Sequence, residues 1–302
     1  MNFQHRETLA SAPFWAFVAE RHAIYLRKQA GITPLTEDPI LAQYRFCNVF
    51  RELDTVTIWV RENIRERYAD HPALWLMLAI ARTINWPPAL QAISDAGAWP
   101  SSDDWRPEQL TTALEARAAA GEKVYTGAFM IRAEGDRKKP WFAWSKHRYI
   151  AEIVLGRLWA DRRRWEAFFD GEQRSLRDTW LRFCRSNYVG WGGFMAYEVV
   201  TDMRHTRYLR GAPDVMSWAH AGPGAQRGLN RLLKRPLDAP VKDRAVALMR
   251  ALLAEQDQFR GAHVPSLEMR DVEHSLCELD KYLRVANGEG RPRARYVPGR
   301  GY

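Results

Sequence analysis

The helical spacing of apolar side chains constrains the fold of this chain more than any other feature. Apolar residues recur every three or four positions along most of the sequence, which is the period of an amphipathic α-helix. Glycine and proline separate the helical segments. The predicted helices span residues 14–25, 39–53, 72–84, 89–96, 107–120, 146–169, 175–188, 194–209, 225–234, 240–259 and 269–286.

One segment, residues 123–131, breaks this period. It is rich in β-branched and aromatic residues, which favours a short strand or a hairpin arm. The sequence has no internal repeat and no low-complexity linker. We therefore expect a mainly α fold with at most this one small strand or hairpin. Residues 1–302 should form a single α-helical domain of two interleaved lobes, with a basic, irregular tail at 288–302.

The charge of the chain limits its partners. The 302 residues carry a net charge of +9, which comes mostly from arginine. A basic balance fits nucleic acid, a membrane surface or a polyanionic substrate. The thirteen tryptophans that accompany these arginines favour base stacking in addition to charge attraction. Nucleic-acid phosphate is thus the anion we expect.

Cysteine usage and hydropathy indicate the compartment. The sequence has an odd number of cysteines, and they lie far apart: Cys47, Cys184 and Cys277. This pattern argues against a disulfide framework and for a reducing environment. The first residues lack the pattern of a signal peptide. The longest apolar run, residues 73–81, is far short of the roughly 20 residues that span a bilayer. We expect a soluble, cytoplasmic protein with no membrane partner.

A Gly222-Pro223-Gly224 turn precedes one of the predicted helices. Such a turn presents backbone N–H groups at a helix N-terminus, where an anion binds readily. Arg227 and Arg231 follow one helical turn apart. The alternative is an ordinary helix–turn–helix connection with a solvated basic face, and this segment alone leaves both interpretations open.

Three polar groups interrupt the apolar pattern. In the first, Asn48 shares a predicted helix face with Arg45 and Glu52, and Arg51 neighbours Asp54. This arrangement fits a buried polar network at a pocket, although structural ion pairs on a helix are the commoner explanation.

The second group is Tyr197, Glu198 and Asp202, which follow paired glycines in an apolar helix. Two carboxylates four residues apart repel each other unless a cation, a proton or a metal lies between them. They are candidates for a catalytic or Mg²⁺-binding pair, and a solvated acidic face is the alternative.

The third group begins with Asp271, Glu273 and Cys277 and continues through Glu278 and Lys281. We expect Glu278 and Lys281 to face one pocket, with Arg291 and Arg293 following in the basic tail. The two arginines would clamp a phosphate, unless the tail is simply disordered. The sequence contains no Walker loop, GxGxxG, HExxH or nucleophile elbow. Its eight histidines show no ligand spacing, so they predict no metal site.

Together, residues 44–54, 191–198 with 222–229, and 273–281 with 288–293 resemble a known family. It is that of the α-glutamyl/putrescinyl thymine pyrophosphorylases, or amino acid:DNA transferases, which is related to the helical domain of 5-hydroxymethyluracil DNA kinases. The resemblance covers nearly the whole chain. It implies a fold similar to helix–hairpin–helix DNA glycosylases, visible here in the turn at residues 222–228.

The resemblance also implies an activity in thymine hypermodification of phage DNA. After a DNA kinase has pyrophosphorylated 5-hydroxymethyluracil in the duplex, such an enzyme replaces the pyrophosphate with glycine, glutamate, serine or putrescine. The location implied is the cytoplasm of an infected bacterium. No cofactor is expected, and Mg²⁺ accompanying the pyrophosphate is left open. The alternatives are a non-catalytic helix–hairpin–helix DNA-binding module and a glycosylase-like base-recognition protein.

Residue roles follow from matching these blocks to the chemistry. Glu198 or Asp202 is the expected base, and Asn48 or Tyr197 is expected to hold the edge of an extruded base. The remaining expected site residues are the catalytic candidates Arg51 and Asp54 and the substrate or DNA ligands Gly222, Gly224, Arg227, Arg231, Glu278, Lys281, Arg291 and Arg293.

Overall fold

The computed structural model describes residues 9–127, 139–171, 174–185, 188–241, 244–292 and 294–297. These residues are mainly helical and include no strand, which confirms the predicted mainly α fold. The α-helices are α1 (Ala12–Gln29), α2 (Pro39–Gln43), α3 (Thr55–Val60), α4 (Leu74–Ile84), α5 (Pro87–Asp95), α6 (Pro107–Ala119), α7 (Lys146–Arg148), α8 (Gly156–Ala160), α9 (Arg162–Asp170), α10 (Leu176–Arg185), α11 (Gly193–Met203), α12 (Pro223–Leu232), α13 (Arg244–Ala254), α14 (Gln256–Phe259) and α15 (Met269–Ala286).

Short helical segments of other types complete the described secondary structure. Two are 3₁₀-helices, Arg51–Leu53 and Pro140–Ala143, and two are π-helices, Arg61–Arg65 and Tyr149–Leu155. Of the predicted extended segment, residues 123–127 are irregular and residues 128–131 lie outside the described ranges. No described helix is both long and apolar enough to cross a bilayer.

The predicted helix over residues 39–53 is wrong beyond Gln43. Tyr44 is extended, with φ −109° and ψ 152°, because this segment pairs with the far end of the chain. The Arg45 N–H donates to the Ala294 carbonyl at 3.1 Å and the Tyr296 N–H to that of Gln43 at 2.9 Å. Residues 294–296 of the predicted irregular tail are therefore held by backbone hydrogen bonds, and Arg45, Asn48 and Glu52 do not share a helix face.

The chain divides into two compact units. The first comprises Met1–Thr55 with Asp214–Tyr302, and the second is the continuous stretch Val56–Pro213. In the first unit, α1 and α12 each pack against α15. In the second, α4 is buried along its entire length and packs against α11. That the two units make up one domain stays a prediction.

Glycines in α12 allow its close approach to α15. A Cβ at Gly224 would overlap the Sγ of Cys277, and a Cβ at Gly228 would overlap the backbone carbonyl of Leu276. None of the three glycines, Gly222, Gly224 and Gly228, has a positive φ. The glycines around the turn thus serve helix packing, while Pro223 occupies the first position of α12, where its missing N–H costs nothing.

Candidate active site

Helix α15 supplies four polar side chains to one region of the first unit. His274, Glu278 and Lys281 follow at intervals of four and three residues and so share one face, and Glu273 lies beside them. Apolar residues on the opposite face, such as Leu276 and Leu279, are buried. The helix starts at a capping box between Glu268 and Asp271, which fixes its first turn.

The irregular segment after α2 places a second set of polar groups against this face. The Cys47 N–H donates to Glu278 Oε2 at 2.8 Å. Asn48 donates to Asp54 Oδ1 from its backbone N–H at 2.9 Å and from its Nδ2 at 3.0 Å. The other oxygen of Asp54 lies 3.9 Å from His274 Nε2. The structure therefore brings Asn48, Asp54, Glu278 and the previously unselected His274 together.

Arginine 21 joins the cluster from α1. Its NH2 group donates to Asn48 Oδ1 at 2.8 Å and to the Phe46 carbonyl at 3.2 Å. With Oδ1 accepting from Arg21 and Nδ2 donating to Asp54 and to the Leu53 carbonyl, the Asn48 amide is engaged within the protein. Asn48 thus positions Asp54 and Arg21, which argues against its predicted role of holding a base edge.

The turn at residue 222 completes the cluster. The Gly222 N–H, at the N-cap of α12, lies 3.4 Å from Glu273 Oε1. The helix N-terminus therefore faces a carboxyl group of the protein itself. Binding of a DNA phosphate at this turn stays a prediction. Helix α15 thus contacts two other regions of the first unit: residues 48–54 through His274 and the turn at Gly222 through Glu273.

The electrostatics of the cluster favour proton transfer at Glu273. Burial raises its pKa to about 7, while Arg270, the Gly222 N–H and Arg51 oppose the rise. The same burial, together with the positive charges of Arg270, Arg51, Lys281 and Arg21, holds the pKa of His274 well below its ordinary value. The same two arginines, Arg270 and Arg51, thus act on a carboxyl whose pKa is near neutrality and on a neutral imidazole.

Asp54 and Lys281 complete the charged groups of the cluster. The pKa of Asp54 is raised mainly by burial, against the hydrogen bond from Asn48 and the charges of Arg51 and Arg21. Lys281 bonds Glu278 at 2.5 Å and lies 4.6 Å from the centre of the Phe46 ring. Glu278 and Lys281 therefore face one site, as the sequence indicated.

One set of atoms in this cluster has the chemistry of metal ligands. A thiol, a carboxylate oxygen and an imidazole nitrogen, from Cys47, Asp54 and His274, lie within 4.8 Å of one another. The four positive side chains that act on His274 oppose a cation there. The same charges suit a multiply charged anion.

The predicted phosphate ligands of α12 have partners within the protein. Arg227 and Arg231 each donate from Nε to Asp280 at 2.8 Å. Arg231 also bonds Glu289, and its side chain is only 7% exposed. Arg231 is therefore a structural cation, while the Arg227 side chain remains 41% exposed. Arg291 is exposed, and Arg293 lies outside the described residues.

The predicted carboxylate pair lies in the second unit. Tyr197, Glu198 and Asp202 are buried on α11. Both oxygens of Asp202 accept hydrogen bonds from Arg82, one from NH2 at 2.7 Å and one from Nε. Arg82 is thus the counter-charge of Asp202, and this pairing gives Asp202 a structural explanation.

Sequence reasoning missed Arg21, Arg270, Glu273 and His274 as site residues. A signal for Arg21 was present, because it follows Phe14, Phe17 and Val18 on the apolar face of α1. A second signal was the spacing of His274, Glu278 and Lys281 on one face of an otherwise amphipathic helix. Glu273 carries no such signal, because its role depends on the distant Gly222.

Comparisons with known proteins place the chain in a family. A family model described as "5-hmdU DNA kinase, helical domain" matches residues 8–291. The chain is 25% identical over 286 residues to a 5-hmdU DNA kinase of Bacillus phage SP10. The match covers 88% of this chain but only 44% of that relative, so the chain spans less than half of the curated protein it matches. No solved structure matches it significantly. Because the family model covers nearly the whole sequence, this protein belongs to the family of the helical domain of 5-hmdU DNA kinases.

Proposed function

We propose that this protein is a DNA-modifying transferase of phage thymine hypermodification. It acts on pyrophosphorylated 5-hydroxymethyldeoxyuridine in duplex DNA and replaces the pyrophosphate with an amino acid or an amine. Membership in the family of the 5-hmdU DNA kinase helical domain supports the pathway. A kinase would supply the substrate, and the transferase would follow it.

The placement of Glu273 carries this proposal. Its carboxyl faces the N-terminal N–H of α12, and Arg51 and Arg270 act on it from nearby. Helix N-termini and guanidinium groups are the groups that bind phosphates in proteins. A proton acceptor and an anion-binding group thus occupy the same place, which is what replacing pyrophosphate by an amine requires.

The chemistry divides between these groups. The bond between the exocyclic methylene carbon and the pyrophosphate oxygen breaks, and its electron pair leaves with the pyrophosphate. Arg51, Arg270 and Lys281 stabilise the charge that develops on this leaving group. The amine nitrogen forms the new bond to carbon and releases a proton to the Glu273 carboxylate. In this proposal Glu273 is the base, in place of Glu198 or Asp202.

The target base must reach the cluster, and base extrusion from the duplex provides the route. The Asn48–Asp54–Arg21 network then serves as the rigid support for the catalytic groups. If Mg²⁺ accompanies the substrate, it would arrive bound to the pyrophosphate. Location in the cytoplasm of an infected host stays a prediction.

A product assay tests the proposal. Duplex DNA containing the pyrophosphorylated nucleoside is incubated with the protein and with glycine, glutamate, serine or putrescine in turn. Nucleoside digestion and mass spectrometry should reveal one new amine-bearing nucleoside, with pyrophosphate released in equal amount. Folded protein that binds the DNA but yields no product with any amine would overturn the proposal and favour a non-catalytic DNA-binding module.

Substitution of Glu273 tests whether this residue is the base. Glu273→Gln keeps the shape of the side chain and its hydrogen bond from Gly222 but cannot take a proton. We expect turnover to fall at least 100-fold, with DNA affinity changed less than threefold. Glu37→Gln removes an exposed carboxylate of the same unit and serves as the matched control. Equal losses of turnover and affinity in Glu273→Gln would exclude Glu273 as the base.

A further inference from the structure

A surface of the second unit combines cations with aromatic rings. It consists of Lys139, Trp141, Phe142, Trp144, Arg148 and Arg157, and we call it the aromatic–basic surface. Phe142 is 45% exposed. The Arg148 side chain is 47% exposed, and Lys139 is exposed as well. None of these residues belongs to the cluster around Glu273.

The cations of this surface are held against the rings. The Arg148 guanidinium lies 3.9 Å from the centre of the Trp144 ring. Trp141 has two cations near its ring, Arg157 at 5.3 Å and Lys139 at 5.8 Å. A cation held by a ring face keeps its charge, and it loses less conformational freedom when it binds an anion.

The support beneath the surface is well packed. Tyr149, Ile150 and Val154, in the adjoining π-helical segment, are 3% exposed or less. Arg148 is also held from the side, because its Nε donates to Glu152 at 2.8 Å. The aromatic–basic surface is thus anchored to the core of its unit.

Its composition identifies the partner. Residues 139–151 contain four tryptophan, phenylalanine or tyrosine residues and three lysines or arginines. Two acidic side chains border them: Glu152 accepts a hydrogen bond from Arg148, and Glu115 accepts one from Ser145. Between Lys139 and Arg148 there is no leucine, isoleucine, valine or methionine, the residues on which apolar protein contacts usually depend. Aromatic rings for base stacking and cations for phosphates are the features of a surface that tracks a nucleic-acid strand.

We infer that the aromatic–basic surface binds a DNA strand, with Arg148 and Arg157 on its phosphates and Phe142 stacked on an unpaired base. The inference deepens the proposed function, on which it rests for the choice of DNA as the polyanion. An enzyme that extrudes a base unstacks the strand locally, and an exposed ring can cover the base left without a neighbour.

Binding to unmodified DNA tests the inference without any turnover. Fluorescence anisotropy is measured with a labelled duplex and a labelled single strand between 50 and about 300 mM salt. The double variant Arg148→Gln with Arg157→Gln should lower the slope of log affinity against log salt by about 2, because each lost phosphate contact removes about 0.9. Affinity near 150 mM salt should fall at least tenfold. The control is Arg106→Gln, an exposed arginine of the same unit paired with Asp104 at 3.0 Å.

Phe142→Ala provides a second, independent readout. It removes an exposed ring, so the fold should be retained. We expect it to weaken single-strand binding at least fivefold, in line with the loss of one stacked base, and to leave the salt slope unchanged. If both sets of variants bind DNA as Arg106→Gln does, or if the wild type binds no DNA at 50 mM salt, the inference fails. Loss of binding to phosphatidylglycerol vesicles with unchanged DNA affinity would also overturn it, in favour of a membrane surface.

The product assay, run on the same preparations, separates this inference from the proposed function. Variants that lose DNA affinity while the wild type makes no product would leave the surface assigned and the transferase proposal overturned. If the wild type forms product and every variant keeps the wild-type DNA affinity, the transferase proposal stands and the aromatic–basic surface is not a DNA-binding site.

Discussion

Two carboxylates in this protein have opposite surroundings. Asp202 is buried and bonded through both oxygens to Arg82, which also bonds Thr57 at 3.1 Å and Asn85 at 3.2 Å. Glu273 receives one long hydrogen bond from Gly222, and burial outweighs the arginines near it. The first carboxylate has a buried cation bonded to both of its oxygens, whereas the pKa of the second, about 7, lets its charge change near neutral pH.

The raised pKa of Glu273 predicts a pH-dependent stability. The folded protein binds a proton at Glu273 up to about pH 7, whereas the ordinary pKa is 4.5. Between these values the folded state holds the proton and the unfolded state does not, so stability falls as pH rises. Glu273→Gln should therefore stabilise the protein more at pH 8 than at pH 4.5, by at most about 3 kcal/mol. Urea denaturation at both pH values measures this difference.

The same carboxyl predicts the direction of the activity profile. If Glu273 must be ionised to accept a proton, turnover should rise with pH through about 7 and fall tenfold per unit at lower pH. In Glu37→Gln the profile should be unchanged. A wild-type profile that stays flat between pH 5.5 and 8 would contradict the assignment.

The Arg82–Asp202 pair predicts a large loss of stability. Asp202→Asn leaves a buried guanidinium without its counter-charge, which costs about 3 to 5 kcal/mol. The free energy of unfolding measures this loss. Asp104→Asn, in the exposed pair with Arg106, should cost less than about 1 kcal/mol. Folded Asp202→Asn should retain turnover, and a hundredfold loss in protein that remains folded would restore Asp202 as a catalytic candidate.

At the scale of elements, the closeness of α12 and α15 determines where Glu273 meets Gly222. Two glycines one helical turn apart, Gly224 and Gly228, face α15. At Gly224 the neighbour is the end of a side chain, Cys277, whereas at Gly228 it is the backbone of Leu276. The Cys277 side chain can move to make room for a Cβ, whereas the backbone of α15 cannot move easily. A larger residue should therefore be tolerated better at position 224 than at position 228.

Alanine at the two glycines tests this difference. Gly224→Ala should cost roughly 1 to 3 kcal/mol of stability, and Gly228→Ala should cost more. Cys277→Ala should recover part of the loss at Gly224 and none of the loss at Gly228. Gly211→Ala, where a Cβ meets nothing within 4 Å, is the control. Equal costs at positions 224 and 228 in thermal melts would contradict the packing described here.

How far the sequence predicts each element depends on how local its determinants are. Helices α4, α5, α6 and α15 follow the predicted limits within two residues, because their periodicity, prolines and caps lie within the segments themselves. The error over residues 44–53 arose because that segment bonds residues 294–296, and no local pattern records this pairing. Helix α3 was not predicted at all.

The same distinction applies to the site. Asn48, Asp54, Glu278 and Lys281 were selected because polar groups interrupt an apolar pattern, and the structure brings them together. Asp202 was selected as a catalytic candidate because its partner Arg82, 120 residues away, cannot be identified from the sequence pattern. Glu273 was passed over because its environment is created by Gly222, 51 residues away. Residue type identified the candidates, and tertiary contacts decide what each one does.

For the whole molecule, the division into units predicts how fragments behave. The second unit is continuous, and its core includes Trp75 stacked on Trp165 with ring centres 5.4 Å apart. We expect residues 56–213 to fold alone with a cooperative thermal melt. Residues 214–302 should not, because α15 packs against α1 from the other end of the chain. Circular dichroism checks both, and a cooperative melt of residues 214–302 without residues 1–55 would contradict the prediction.

The hydrogen bond between Cys47 and Glu278 joins residues 231 positions apart. A chain that emerges from the ribosome N-terminus first has therefore completed its second unit long before this bond can form. Asp54 and α1 gain their contacts with α15 only after α15 has been synthesised. Until α12 and α15 have been synthesised, the nascent chain therefore lacks both Glu273 and the helix N-terminus that this side chain faces.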